Sequence, residues 1–214
     1  ACVFQKEAFA IMTTKKETVS KHLPVQYLTR IAILAAISTV LSMISIPVVA
    51  FYKLDLSNLP VMLGAFSMGP VPGLLILAIT NLLGLLRSTS GGVGQLADFI
   101  MGAAMILPAE LIYRRNKSRR SAVIGMAVGT VTMIIVAVLV NWKIMIPFYM
   151  SAFGMPMEAV ISMATKVLPF VDTEWKLLLC VTAPFNLLKG VILSLLTFLL
   201  YKRLSPLLHV KKSR

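Results

Sequence analysis

Acidic side chains are scarce in this chain. Its 214 residues include eight Asp and Glu against 21 Lys and Arg, and charged residues of both signs make up only 14%. Soluble domains carry about 25%. Cysteine and histidine are rarer still, two of each. Cys2 and Cys180 make no disulfide framework. His22 and His209 lie in polar flanks near opposite ends, which argues against a histidine-built metal site or triad. What is abundant is apolar: 58% of residues, against about 45–50% in soluble domains. That composition belongs to an integral membrane protein. The formal net charge of +13 then reads as a topology signal in loops on one side of the membrane rather than as a nucleic-acid surface.

The most informative stretch is TAPFNLLKGVILSLLT, residues 182–197, inside an apolar run over 177–201 that is long enough to cross a bilayer. A lysine at mid-membrane depth costs roughly 2.5–3.5 kcal/mol on insertion scales, so Lys189 should face a partner, a cavity or a ligand. Asn186 lies three residues before it and shares its helix face. Pro184 removes a backbone donor and is expected to bend the helix there.

Upstream, residues 1–26 form a polar lead, either interfacial or unstructured. A first span is expected over 27–49, with small residues at Ala32 and Ala36 and, one step over, Ala35 and Thr39. Small residues four apart let a second helix come close, although alanine is also simply a good helix former. Residues 47–60, bracketed by prolines and carrying Lys53 and Asp55, read as an outside loop. A short helical piece follows, broken by GPVPG at 69–73, and then a third span with Asn81 at mid-depth. An interhelical hydrogen bond explains Asn81 better than a ligand does.

The glycine-rich stretch RSTSGGVGQLADF, 87–99, leads into a fourth span ending near Arg115. Its spacing matches neither a P-loop nor a dinucleotide fingerprint. Gln95 and Asp98 lie one helical turn apart. Asp98 is open to capping the helix start or touching solute, with capping and solvation the main expectation, and Glu110 is expected to pair with Arg114 on the surface. The basic cluster 114–120 is a loop, a fifth span covers 121–141, and Asn141 stands at its outer end. Residues 150–176 are a long mixed segment with a short helix expected around 158–168. Loops of that length commonly cover a site.

Six spans put both termini on one side. Fifteen of the 21 Lys and Arg fall in the lead and first-span entry, the 114–120 loop and the stretch from residue 202 onward, so that side is cytoplasmic. The expected fold is thus all-α integral membrane, with six transmembrane helices and cytoplasmic N and C termini. A polar lead of 1–26, a membrane domain of 27–205 and a basic tail of 206–214 make up the chain. A solute would enter from outside and sit above Lys189.

Three stretches together, KLDLSNLPVMLGAFSMGPVPG, TSGGVGQLADFIMGAAMILPAELIY and PFNLLKG, resemble the riboflavin-specific S components of energy-coupling factor (ECF) transporters. The resemblance covers nearly the whole chain after about residue 24. It implies a six-helix vitamin-binding subunit in the cytoplasmic membrane that binds riboflavin from outside. It also implies partners, a transmembrane coupling protein and two ATPases, and a docking patch at Ala32 and Ala36. The flavin contacts it implies are Asn141, Asn186 and Lys189, with Leu54 and Asp55 in a lid-like first loop and Gln95 in the glycine-valine-glycine stretch. Gln95 stands where the family more often has glutamate, and Asp98 where asparagine is common. The ligand is cargo, so no cofactor is expected, and the flavin nucleotide FMN is an alternative ligand. The rival readings are another vitamin on the same fold, a self-sufficient secondary carrier and an intramembrane enzyme. The last would need a nucleophile and base at one depth, whereas Asp98, Glu110 and Glu158 are scattered.

Overall fold

In the computed structural model, the described residues are 25–49, 52–88, 90–165 and 168–208. The polar lead up to residue 24 and the end of the basic tail, 209–214, lie outside them.

Helix α1, Val25–Met43, stops earlier than the apolar run does. Pro47 explains why: it disfavours helical geometry in Ile46 and cannot donate the next helical bond. The chain instead forms a two-stranded antiparallel hairpin, β1 at Ile46–Val49 and β2 at Tyr52–Leu54, with Pro47 opposite Lys53. The expectations of a first span reaching residue 49 and of an all-α chain are corrected by this hairpin.

Helix α2, Asn58–Met68, has only 11 residues, yet everything from Asn58 to Phe66 is buried. It is the central post of the bundle, with Val61 and Ala65 fully enclosed. Gly69, at φ 109°, then turns the chain straight into α3, Pro70–Leu85. A side chain would be strained in that conformation. The antiparallel pair packs tightly enough that a Cβ on Gly73 would lie 2.6 Å from the Cβ of Ala65.

Helices α4, Val93–Arg115, and α5, Arg119–Val140, form the closest pair. Here GMAVG, residues 125–129, supplies a Gly-x-x-x-Gly face. A Cβ on Gly125 would lie 2.5 Å from the carbonyl oxygen of Ala109, and one on Gly129 would strike that of Met105. Backbone-to-backbone contact of this kind gives the dispersion attraction that holds helices together in lipid, where no hydrophobic drive exists.

Two helices carry a π turn at the same offset before a proline. α5 continues through a π turn at Asn141–Met145 into α6, Ile146–Phe153. After α7, Met157–Thr165, and the single turn α8, Glu174–Leu177, a second π turn at Leu178–Thr182 leads into α9, Ala183–Leu208. Ile146 N–H reaches back five residues to Asn141, and Ala183 N–H to Leu178. Pro147 and Pro184 follow one residue later. Neither can donate a helical bond, and the wider turn re-sets the ladder ahead of each. The bend expected at Pro184 is thus a π turn just before it, and the fifth helix runs on past residue 141 for the same reason. The two π turns pack against each other.

Among the described residues, four helical stretches are long and apolar enough to cross a membrane: Val25–Met43, Val93–Arg115, Arg119–Phe153 and Glu174–Leu200. Helices α2 and α3 are apolar but shorter. Exposed Leu, Ile and Val on α1, α5 and α9 give the bundle a greasy outer face, the reverse of a soluble surface.

Candidate functional site: a charged cavity at one end of the bundle

The C-terminal ends of α1 and α3, the hairpin, the N-terminal half of α4, the π turn after α5 and the start of α9 surround one cavity of about 430 Å³. That size is within the roughly 300–1,000 Å³ of small-ligand sites. Asp55, Gln95, Asn141, Asn186 and Lys189 all line it. Leu54, at the end of β2, is half-buried and not part of the lining.

Lys189 is buried, at 7% exposure. Its Nζ lies 3.4 Å from Oδ2 of Asp55 and 3.4 Å from Oδ1 of Asp98. An ammonium has three donors, so two carboxylate contacts leave one N–H for a ligand. The lysine therefore faces neither lipid nor a sealed pair: it stands in an ionic triad on a cavity wall. Asp55 sits in the short link between β2 and α2. Burial alone would push its carboxyl up, but the Lys189 ammonium, the Ser57 hydroxyl and the Ser57 amide at 2.9 Å outweigh that. The group is held below the ordinary carboxylate range.

Asp98 departs from expectation. The start of α4 is capped without it, by left-handed Gly92 and by Ser90, whose hydroxyl accepts from the Gly94 amide. Asp98 instead turns inward, accepting from Asn58 on α2 and Asn81 on α3, each at 3.4 Å, as well as from Lys189. Asn81 makes the interhelical bond expected of it and also lines the cavity. Glu110 departs as well: it is buried at 3% exposure on the inner face of α4, and its Oε2 takes no hydrogen bond among the described residues. It is not a surface partner of Arg114.

The two asparagines stand alike. Asn141 donates to the carbonyl of Ala137 at 2.8 Å, and Asn186 to that of Thr182 at 2.9 Å. Both are buried at 3% exposure. Tyr52 of the hairpin ties their two helices together: its hydroxyl donates to Asn141 Oδ1 at 3.2 Å, is hydrogen-bonded to the Thr182 hydroxyl, and its ring packs 5.2 Å from that of Phe185. Burial pushes the Tyr52 phenol far above its usual range, so it stays a neutral donor. The sequence did not single out Tyr52 as a site residue. A lone tyrosine in a loop carries no signal of the partners that folding brings to it.

Gln95 is anchored at the cavity's edge, accepting from the Ser88 hydroxyl at 2.8 Å and donating to the carbonyl of Gly84 at 3.4 Å. Two cations, Lys53 and Arg87, line the outer part with Ser42, Ser45 and Ser90. The lining thus combines apolar walls such as Met101, Met145 and Phe185 with donors and acceptors at both ends. Such a lining suits a small ligand with apolar surfaces and polar groups. Ala32 and Ala36 are far from this chemistry in character: both are exposed on α1.

The family model of ECF transporter substrate-specific components matches residues 26–201. The riboflavin transporter RibU of Staphylococcus aureus (strain TCH60) is 33% identical over 181 residues, covering 83% of this chain and 89% of that protein. The riboflavin transporter FmnP of Bacillus subtilis (strain 168) is 25% identical, covering 88% and 97%. A solved structure of the S component of a bacterial ECF transporter superposes with a TM-score of 0.66 at 31% identity, over 86% of this chain and 97% of that one. These are transport proteins and not enzymes, and a membrane bundle with a charged cavity at one end is what such a protein needs: the chain belongs to the substrate-specific components of ECF transporters.

Proposed function

We propose that the chain is the riboflavin-binding subunit of an ECF importer in the cytoplasmic membrane, with both termini inside. It takes riboflavin from the outer side into the cavity around Lys189. A transmembrane coupling protein and two ATPases then drive delivery inward. The observation that carries this reading is the cavity itself, where a buried ammonium keeps one free donor beside two asparagines. A flavin ring has apolar faces and a carbonyl edge, and buried carbonyls need donors. Lys189, Asn186 and Asn141 take the edge. Asp55 and Gln95 complete the polar lining, and the hairpin that carries Leu54 covers the cavity through Tyr52 and Lys53. Ala32 and Ala36 present small side chains to the coupling protein, which allows close helix approach. Purified protein should be yellow with a flavin absorption spectrum. Colourless protein that fails to quench added riboflavin fluorescence would remove the assignment.

A second ligand, FMN, is favoured by one feature. Lys53 and Arg87 place two cations and no carboxylate at the hairpin and the α3–α4 link, while both cavity carboxylates are taken by Lys189. A phosphate on the ribityl tail would meet Arg87 and Lys53 there.

A further inference from the structure

The two carboxylates beside Lys189 are built differently. Asp55 lies in a non-helical link, and both the amide and the hydroxyl of Ser57 converge on one of its oxygens. Besides Lys189, it is held by that one neighbour at the start of α2. Asp98 is held from several helices. It stands within the 23-residue helix α4, whose backbone is locked against α5 through Gly125 and Gly129. One of its oxygens accepts from Asn81 on α3, and the other from Asn58 on α2 and from Lys189 on α9. Four helices thus meet at one carboxylate.

A lysine side chain has four flexible bonds and loses much rotamer freedom when it is held. If the structure has already paired it in the right place, the ligand does not bear that loss. We propose that Asp98 is the positioning residue of this site: it holds the Lys189 ammonium at the cavity wall with one donor left for the ligand. Asp55 does not duplicate it: besides Lys189, Asp55 is held by Ser57 alone, whereas Asp98 joins Lys189 to α2 and α3 through Asn58 and Asn81. The inference rests on the flavin reading above and adds a cavity-wall residue that acts through Lys189.

A double-mutant cycle on the purified full-length protein tests it, with riboflavin fluorescence quenching as the readout. Asp98→Asn should weaken riboflavin binding by about tenfold or more, the size expected for a hydrogen bond to a charged group. In a Lys189→Met background the same substitution should weaken it by less than about twofold, because the group being positioned is gone. A bystander that only supports the fold would cost the same in both backgrounds. Equal losses in the two backgrounds, or no loss in either, would therefore overturn the inference while leaving the flavin reading in place. Wild-type protein that fails to bind riboflavin would overturn both. Should Asp98→Asn not yield folded protein, Asn81→Leu replaces it. That variant removes one of the amides seating Asp98, and its smaller loss should likewise vanish when Lys189 is Met.

Discussion

Lys189 Nζ lies 3.4 Å from Oδ2 of Asp55, although 134 positions separate them in the chain. The contact joins the link after the hairpin to the last helix at the cavity wall. It sets what each partner should do when changed.

Lys189→Ala removes the donor for the ligand and leaves Asp55 and Asp98 facing each other unpaired. Riboflavin affinity should fall by at least about tenfold, the cost of losing a hydrogen bond to a charged group. Fluorescence titration measures this directly, and unchanged affinity would take Lys189 out of the site.

The pair should also set an acid limit. The Asp55 carboxyl is held below its ordinary value, chiefly by Lys189 and Ser57 against the opposing effect of burial. As pH falls the unfolded chain takes up the proton first, so the pairing contributes fully above about pH 4 and is lost as pH drops through the lowered value. Thermal stability in detergent should be flat from neutral pH to about 5 and decline below about 4. Asp55→Asn should flatten that decline, and an unaltered acid limb in the variant would assign it to other groups.

Tyr52→Phe keeps the ring contact with Phe185 but deletes the hydroxyl shared by Asn141 and Thr182. Both partners are buried, so the change should cost about 1–3 kcal/mol of stability. It should weaken riboflavin binding as well, because Asn141 loses the bond that orients it. A melting curve paired with a ligand titration separates the two effects, and loss of stability with unchanged affinity would make Tyr52 purely structural.

Ala32→Trp or Ala36→Trp places a large ring on the exposed face of α1, away from the cavity lining. Riboflavin binding by purified protein should be unchanged, and cellular uptake should be abolished because the coupling helix can no longer approach. Full uptake by either variant would discard the docking assignment.

Arg87→Ala should separate the two ligands. FMN affinity should drop by about fivefold or more at low salt, with a smaller drop at high salt because an exposed ionic contact is screened. Riboflavin, lacking the phosphate, should hardly respond. Parallel titrations of both ligands at two salt concentrations check this, and equal effects on both would argue against a phosphate contact.

Much of this site was legible before any fold was known, because a charge inside an apolar run is a local anomaly. Lys189 and Asn186 announce themselves by their surroundings, and the glycine-rich stretch around Gln95 by its composition. Asp98 and Tyr52 did not. An aspartate near a helix start has an ordinary explanation in capping, and a tyrosine next to a loop has one at the membrane interface. Only the packing of α2, α3 and α9 against α4 brings three donors to Asp98, and only the folding of the hairpin over α5 and α9 brings Tyr52 to Asn141 and Thr182. Glu110 shows the same limit: spacing to Arg114 said nothing about which side of α4 faces inward.

The sequence by itself determined a membrane protein, its apolar helical segments and the presence of one buried cation, since hydrocarbon constrains composition residue by residue. The tertiary structure decided where the hairpin replaces helix, how two π turns absorb Pro147 and Pro184, and which carboxylates hold Lys189. Those depend on the approach of segments far apart in the chain, down to the missing side chains at Gly125 and Gly129. No window of sequence contains that distance.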